Sequence, residues 1–168
     1  MRLTRYLKPA QIRLELRTET PSEVPEGWTR ERFVRSIKER VIAEIAELMA
    51  ASGKVGNERK FYQDLLNRER KASTAIGGGL AIPHVRTMQA KDFILAFARS
   101  TPGVEFDAPD GAPVHFFFGV AAPPHDDRLY LEVYRRIGEV FGTPERKEAL
   151  GRAADEHEVI RILSAFGE

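Results

Sequence analysis

Apolar residues recur along this chain at two spacings, one belonging to strands and one to helices. Ile12, Leu14 and Leu16 alternate with Arg13, Glu15 and Arg17, the period of a half-buried strand. Residues 18–28 contain Pro21, Pro25 and Gly27 and read as a surface loop. Thr29 stands where a helix cap belongs, and Phe33, Ile37, Val41, Ile45, Leu48 and Met49 follow at helical spacing until Gly53. Gly56-Asn57 offers a second cap, with Phe61, Leu65 and Leu66 as the inward stripe of a helix ending near Arg70. After it the pattern changes. Residues 73–79 are small and flexible, Leu80-Ala81-Ile82 is apolar, and 93–98 suits a buried strand. Thr101-Pro102-Gly103 and Pro109-Asp110-Gly111 are turn signals around Val104-Glu105-Phe106. Residues 114–122 form a nearly continuous apolar run, as in a central strand covered on both faces. Leu131, Tyr134, Ile137 and Phe141 make a third helical stripe. Thr143-Pro144 has the form of a cap with proline at the first helical position, and Asp155 with Glu158 that of a capping box opening a last helix.

Helices thus lie on either side, in sequence, of a group of buried strands. That order predicts an α/β fold: a single three-layer domain spanning residues 1–168, its mixed β-sheet flanked by helices on both faces. The composition, 42% hydrophobic and 30% charged over 168 residues, agrees with one globular core. The 26 basic and 25 acidic residues leave a net charge of +1, which gives no reason to expect nucleic acid as a partner. No window approaches the ~20 apolar residues of a membrane span, so no direct membrane insertion is expected. The basic start Met1-Arg2-Leu3-Thr4-Arg5 lacks the apolar region of a signal peptide, and a cytoplasmic location is the expectation. With no cysteine, thiol catalysis and cysteine-based metal centres are excluded.

Candidate chemistry narrows to histidine. His157 falls among charged residues of the last helix, His115 opens the apolar strand, and His125 follows Pro123-Pro124 in a polar loop. None has metal-ligand spacing with another. His84 differs in its surroundings. Pro83 fixes its own φ and drives Ile82 toward extended backbone, so the chain leaves a short strand rigidly and presents His84 at its end. Gly77, Gly78 and Gly79 can expose backbone amides, Ser73 and Thr74 add hydroxyls, and Arg68 and Arg86 bring positive charge. A neutral imidazole among such groups suits a nucleophile that accepts an oxyanion-bearing group. On these residues alone, a structural histidine after a turn stays open beside the functional one. As a charge run, Arg68-Glu69-Arg70-Lys71 reads simply as a solvated helix end.

The stretch from Leu65 to His84 contains L-L-N-R-E-R-K-A-S-T-A-I-G-G-G-L-A-I-P-H. It resembles, without a gap, the signature of enzyme IIA domains of the mannitol/fructose and nitrogen-regulatory class of the bacterial phosphoenolpyruvate-dependent phosphotransferase system. Tyr6-Leu7-Lys8-Pro9, Gly103-Val104-Glu105-Phe106-Asp107-Ala108 and Asp110-Gly111-Ala112-Pro113-Val114 fit the same pattern, whereas the stretch from about Pro21 to Trp28 looks like an elaboration. The resemblance implies a phosphotransferase component that is a carrier: His84 is phosphorylated and Arg68 pairs with the phosphoryl oxygens. Ser73, Thr74, Gly77, Gly78, Gly79 and Arg86 are then further phosphate-binding candidates.

The same resemblance implies a histidine-containing phosphocarrier protein as donor and a IIB domain or a regulatory protein as recipient, and no metal or other cofactor. Such proteins commonly carry a second histidine in an H-L pair at the start of the following helix; here that place is held by Tyr130-Leu131. Tyr130 is either a neutral hydrogen-bond donor to phosphate or a packed aromatic. The departure bears on onward donation and keeps in view a regulatory binding protein switched at His84 without obligatory transfer. A histidine-dependent hydrolase would need a second base that the sequence does not offer.

Overall fold

The longest apolar run becomes the middle of the sheet. In the computed structural model, which describes residues 2–165, Val114–Ala122 is strand β6 of a six-stranded mixed sheet. On one side it pairs antiparallel with β5 (Ile94–Val104), whose other edge carries the two-residue β1 (Ile12–Arg13) in parallel. On the other side lie two short strands end to end, β3 (Leu80–Ala81) and β4 (His84–Arg86), both parallel to β6. β2 (Ala75–Gly77) folds back antiparallel on β3.

Alternation along β6 sends side chains to two cores, as pleating requires. Phe117 and Ala121 face α1 (Arg30–Ala50) and α2 (Glu58–Lys71), meeting Ile37, Val41, Ile45, Phe61 and Leu65. Phe116, Phe118, Val120 and Ala122 face the opposite layer of α3 (Asp127–Val140), α4 (Pro144–Arg152) and α5 (Glu156–Ala165). The expected α/β arrangement, with helices on both faces of a mixed sheet, is the one observed. Gly119 lets α1 approach closely: a Cβ there would lie 2.6 Å from Ile45 Cγ2 and 2.9 Å from Met49 Sδ. The expected caps of the first two helices also form, with Thr29 accepting from Arg32 N–H and Asn57 from Lys60 N–H. No helix among the described residues is long and apolar enough to cross a membrane.

Four local expectations are corrected. The first strand stops at Arg13; Ile12 packs on the α3 side and Leu16, bonded to the Arg99 carbonyl, on the α1 side, so the alternation does not mark one face. Thr101-Pro102-Gly103 is not a turn between strands but an irregular part of β5, across which the register with β6 shifts between Arg99 and Val104. Pro102, which has no N–H to donate, is tolerated there because the ladder is interrupted. In α3 the buried line is Val133, Ile137 and Val140, while Leu131 is 67% exposed. Two residues before Val133 is about 200° around the helix, which is the opposite face. Thr143 precedes α4, but its hydroxyl makes no cap bond, and its oxygen is buried without a partner. Asp155 does accept from Glu158 N–H, and the Glu158 carboxylate reaches back to the Ala154 amide.

Candidate functional site

His84 opens β4, and its backbone lies beside Val120 near the C-terminal end of the central strand. Its side chain is fixed by its own chain. The imidazole Nδ1 lies 2.6 Å from the Ile82 carbonyl oxygen, two residues back across Pro83. A carbonyl only accepts, so Nδ1 carries the hydrogen and the lone pair of the neutral ring is on Nε2. That nitrogen faces Arg68 near the end of α2, whose Nη2 is 3.4 Å away. Arg68 is steadied in turn by donating from Nη1 to the Ala72 carbonyl at 3.0 Å.

Burial holds the His84 pKa below its ordinary value; the bond to Ile82 pulls the other way, the Arg68 and Arg86 charges lower it and Glu69 raises it. The net effect favours the neutral nucleophilic ring. Two tyrosine rings lie beside it in T-shaped geometry, with ring centroids 5.7 Å away for Tyr130 and 5.4 Å for Tyr134. Burial pushes the Tyr130 phenol up to about 12, so it stays a neutral donor. Burial likewise raises Tyr134, whose hydroxyl feels Arg68. Arg86 forms an ion pair with Asp127 at the start of α3 and lies over the Tyr130 ring, 5.6 Å from its centroid. A cleft of about 630 Å³ opens over these groups, with Lys60, Lys71, Arg68 and Arg86 in its lining.

The structure therefore brings His84, Arg68, Arg86 and Tyr130 together. It does not bring the glycines there. Gly79 lies where β3 meets the start of β6, its carbonyl accepting from the His115 and Phe116 amides, five residues up the strand from Val120. Gly78 N–H donates to Asp110, and a Cβ on Gly79 would touch His115 and Lys147. The positive φ values of +91°, +66° and +80° at Gly77, Gly78 and Gly79 make the tight β2–β3 turn, which is their role. The Ser73 hydroxyl is spent on the Phe106 carbonyl, and that of Thr74 on the buried Glu69 carboxylate. Neither faces the imidazole as a free donor.

Tyr134 is the residue that sequence reasoning missed. At helical spacing it reads as core stripe, and it does pack against that core, but its place four residues after Tyr130 also puts both on one helix face. Of the other histidines, His115 has its Nδ1 3.0 Å from the Ser100 carbonyl, and His125 and His157 are exposed. Among the described residues no cluster of three or more histidine, aspartate or glutamate side chains is placed to hold a metal ion.

Comparison with known proteins gives this geometry its context. Residues 32–166 match the family described as "Phosphoenolpyruvate-dependent sugar phosphotransferase system, EIIA 2". A nitrogen regulatory protein of Pseudomonas aeruginosa is 31% identical over 126 residues, covering 75% of this chain and 82% of that protein. The fructose-specific EIIABC component of Bacillus subtilis is 34% identical over 127 residues, covering 76% of this chain but only 20% of that much longer protein. Among solved structures, nitrogen regulatory protein IIA-Ntr from Neisseria meningitidis superposes with a TM-score of 0.77 at 28% identity, over 96% of this chain and 98% of that one.

Proposed function

Because the chain belongs to the EIIA 2 family of the phosphoenolpyruvate-dependent sugar phosphotransferase system, we propose that it is a phosphocarrier that holds its phosphoryl group on Nε2 of His84. The observation that carries this reading is the fixed tautomer: Nδ1–H is committed to the Ile82 carbonyl, and the free Nε2 lone pair faces Arg68. The donor is a histidine-containing phosphocarrier protein. The lone pair of Nε2 attacks phosphorus in line, the N–P bond to the donor imidazole breaks, and its electron pair returns to the donor ring. Because Nδ1 keeps its hydrogen, the phosphorylated His84 ring carries a positive charge offset by the phosphoryl oxygens, and the donor ring, cationic while phosphorylated with a hydrogen on its other nitrogen, leaves neutral; no proton has to leave the site. Arg68 neutralises the equatorial oxygens during transfer, Tyr130 donates a hydrogen bond, and Arg86 adds charge from the rim. The group then passes to a IIB partner or remains as a switch.

Incubation with phosphoenolpyruvate, enzyme I and the small phosphocarrier is expected to give acid-labile label that disappears in His84→Ala. Unlabelled wild type, or label persisting in that variant, overturns the proposal.

The regulatory reading draws on one further observation: tyrosine edges flank His84 where a second histidine is expected. Tyrosine offers phosphate a hydrogen bond but no positive charge, which suits holding the group more than handing it on. Phosphorylated and unphosphorylated protein should then capture different partners, and identical capture counts against a switch.

A further inference from the structure

Glu69 follows Arg68 in the chain, yet it turns away from the cleft into the protein, where it is 3% exposed. A carboxylate so placed needs partners, and it has three. Thr74 N–H donates to Oε1 at 3.0 Å, the Thr74 hydroxyl to Oε2 at 2.6 Å, and Lys38 Nζ from α1 lies 3.1 Å from Oε1. Thr74 is bound in turn to the segment that holds the histidine: its carbonyl accepts from Ile82 N–H at 3.0 Å. The Ile82 peptide is thus gripped at both ends, by Thr74 through its N–H and by His84 Nδ1–H through its carbonyl. One residue from Glu69, the same helical turn carries Arg68.

We infer that Glu69 is a positioning residue for phosphoryl transfer: anchored by Lys38, it ties the last turn of α2 to Thr74, and so fixes both the Arg68 guanidinium and the Ile82 carbonyl that sets the His84 tautomer. The inference rests on the carrier reading of His84. It also gives Thr74 a different part from direct phosphate binding. Its hydroxyl acts on Glu69, and its carbonyl on Ile82. The groups that meet the imidazole directly are Arg68, Tyr130 and Tyr134, with Arg86 acting on it by charge, and Glu69 acts through Arg68 and through Ile82.

The test uses the full chain with imidazole nitrogens labelled with ¹⁵N. In wild type above the His84 titration, Nδ1 should give the shift of a protonated ring nitrogen and Nε2 that of an unprotonated one. Glu69→Gln is expected to give a mixed-tautomer spectrum and phosphorylation by the phosphorylated donor roughly 10- to 100-fold slower, as for a misplaced reacting group. Thr74→Val, which removes only the hydroxyl donor, should shift both readouts the same way, and Thr74→Ser should restore them. A folded Glu69→Gln or Thr74→Val protein with the wild-type tautomer and a rate within twofold overturns the inference. If Glu69→Gln does not fold, the Thr74 pair decides. If wild type takes no label, the carrier reading fails instead, and the nitrogen shifts still judge Glu69 on their own.

Discussion

The two ends of the β3–β4 line beside the central strand look alike and differ in what they can do. Each has a histidine whose Nδ1 meets a backbone carbonyl, His84 at Ile82 and His115 at Ser100. Each lies within or beside the same glycine-rich signature. At the His84 end the free Nε2 meets a guanidinium, two phenol-bearing rings and an open cleft. At the other end the His115 ring packs on Gly103 and the glycine turn, and the Gly78 amide is already bonded to Asp110. The difference teaches that a fixed tautomer is not enough. What sets the proposed acceptor His84 apart is a lone pair facing a guanidinium beside an open cleft.

The sharpest way to break that comparison is to remove each ring in turn. His84→Ala should abolish phosphorylation in the donor assay, while His115→Ala should keep the labelling rate within about twofold, since it removes only packing and the bond to Ser100 at the far end. Next in size, Arg68→Ala should slow phosphorylation by roughly 10²- to 10³-fold, the usual cost of losing one preorganised oxyanion donor. Rapid-quench kinetics against donor concentration would place that loss in the transfer step. Tyr130→Phe should cost about fivefold, in line with about 1 kcal/mol for one neutral hydrogen bond. An unchanged rate would mean that the Tyr130 ring serves as packing.

Much of this was legible in the sequence, and the misses have physical causes. The nearly continuous apolar run 114–122 read as a covered central strand, and the stripes of α1 and α2 gave their buried faces correctly. Arg68 and His84, sixteen residues apart, meet because a helix end and a strand start converge, and only the gapless signature pointed to that pairing. The glycines misled because closeness in sequence is not closeness in space: five extended residues span roughly 16 Å. The Thr74 hydroxyl, expected at the phosphate, turns inward because the Glu69 carboxylate lies buried beside it. Tyr134 satisfies a helical stripe as readily as a site, and it does both, packing against the core and meeting the His84 ring.

Smaller effects sharpen the same contrast. Gly79→Ala forces a side chain into φ +80° against His115, and should cost about 1–2 kcal/mol in denaturant midpoint analysis. Because that strain sits at the far end, the folded variant should accept phosphate at the wild-type rate. A slowed rate in fully folded protein would show that the glycine turn is coupled to His84 after all.

The subtlest difference lies in pH. Burial, with the Arg68 and Arg86 charges, lowers the His84 pKa relative to the unfolded chain. The unfolded state therefore binds more protons between the lowered value and the ordinary one of 6.5, so stability rises with pH across that window. The destabilisation is fully present below the folded pKa and gone above the unfolded one, the reverse of a histidine that gains an acidic partner. Proton NMR of the imidazole should find the His84 midpoint below 6.5, and Arg68→Ala should move it upward by removing a nearby positive charge. Phosphate acceptance should accordingly persist to lower pH in wild type than the ordinary histidine value allows, because the ring stays neutral there. A wild-type midpoint at or above 6.5 would mean that the site does not hold the imidazole neutral, and the contrast between the two ends would then rest on Arg68 and the cleft alone.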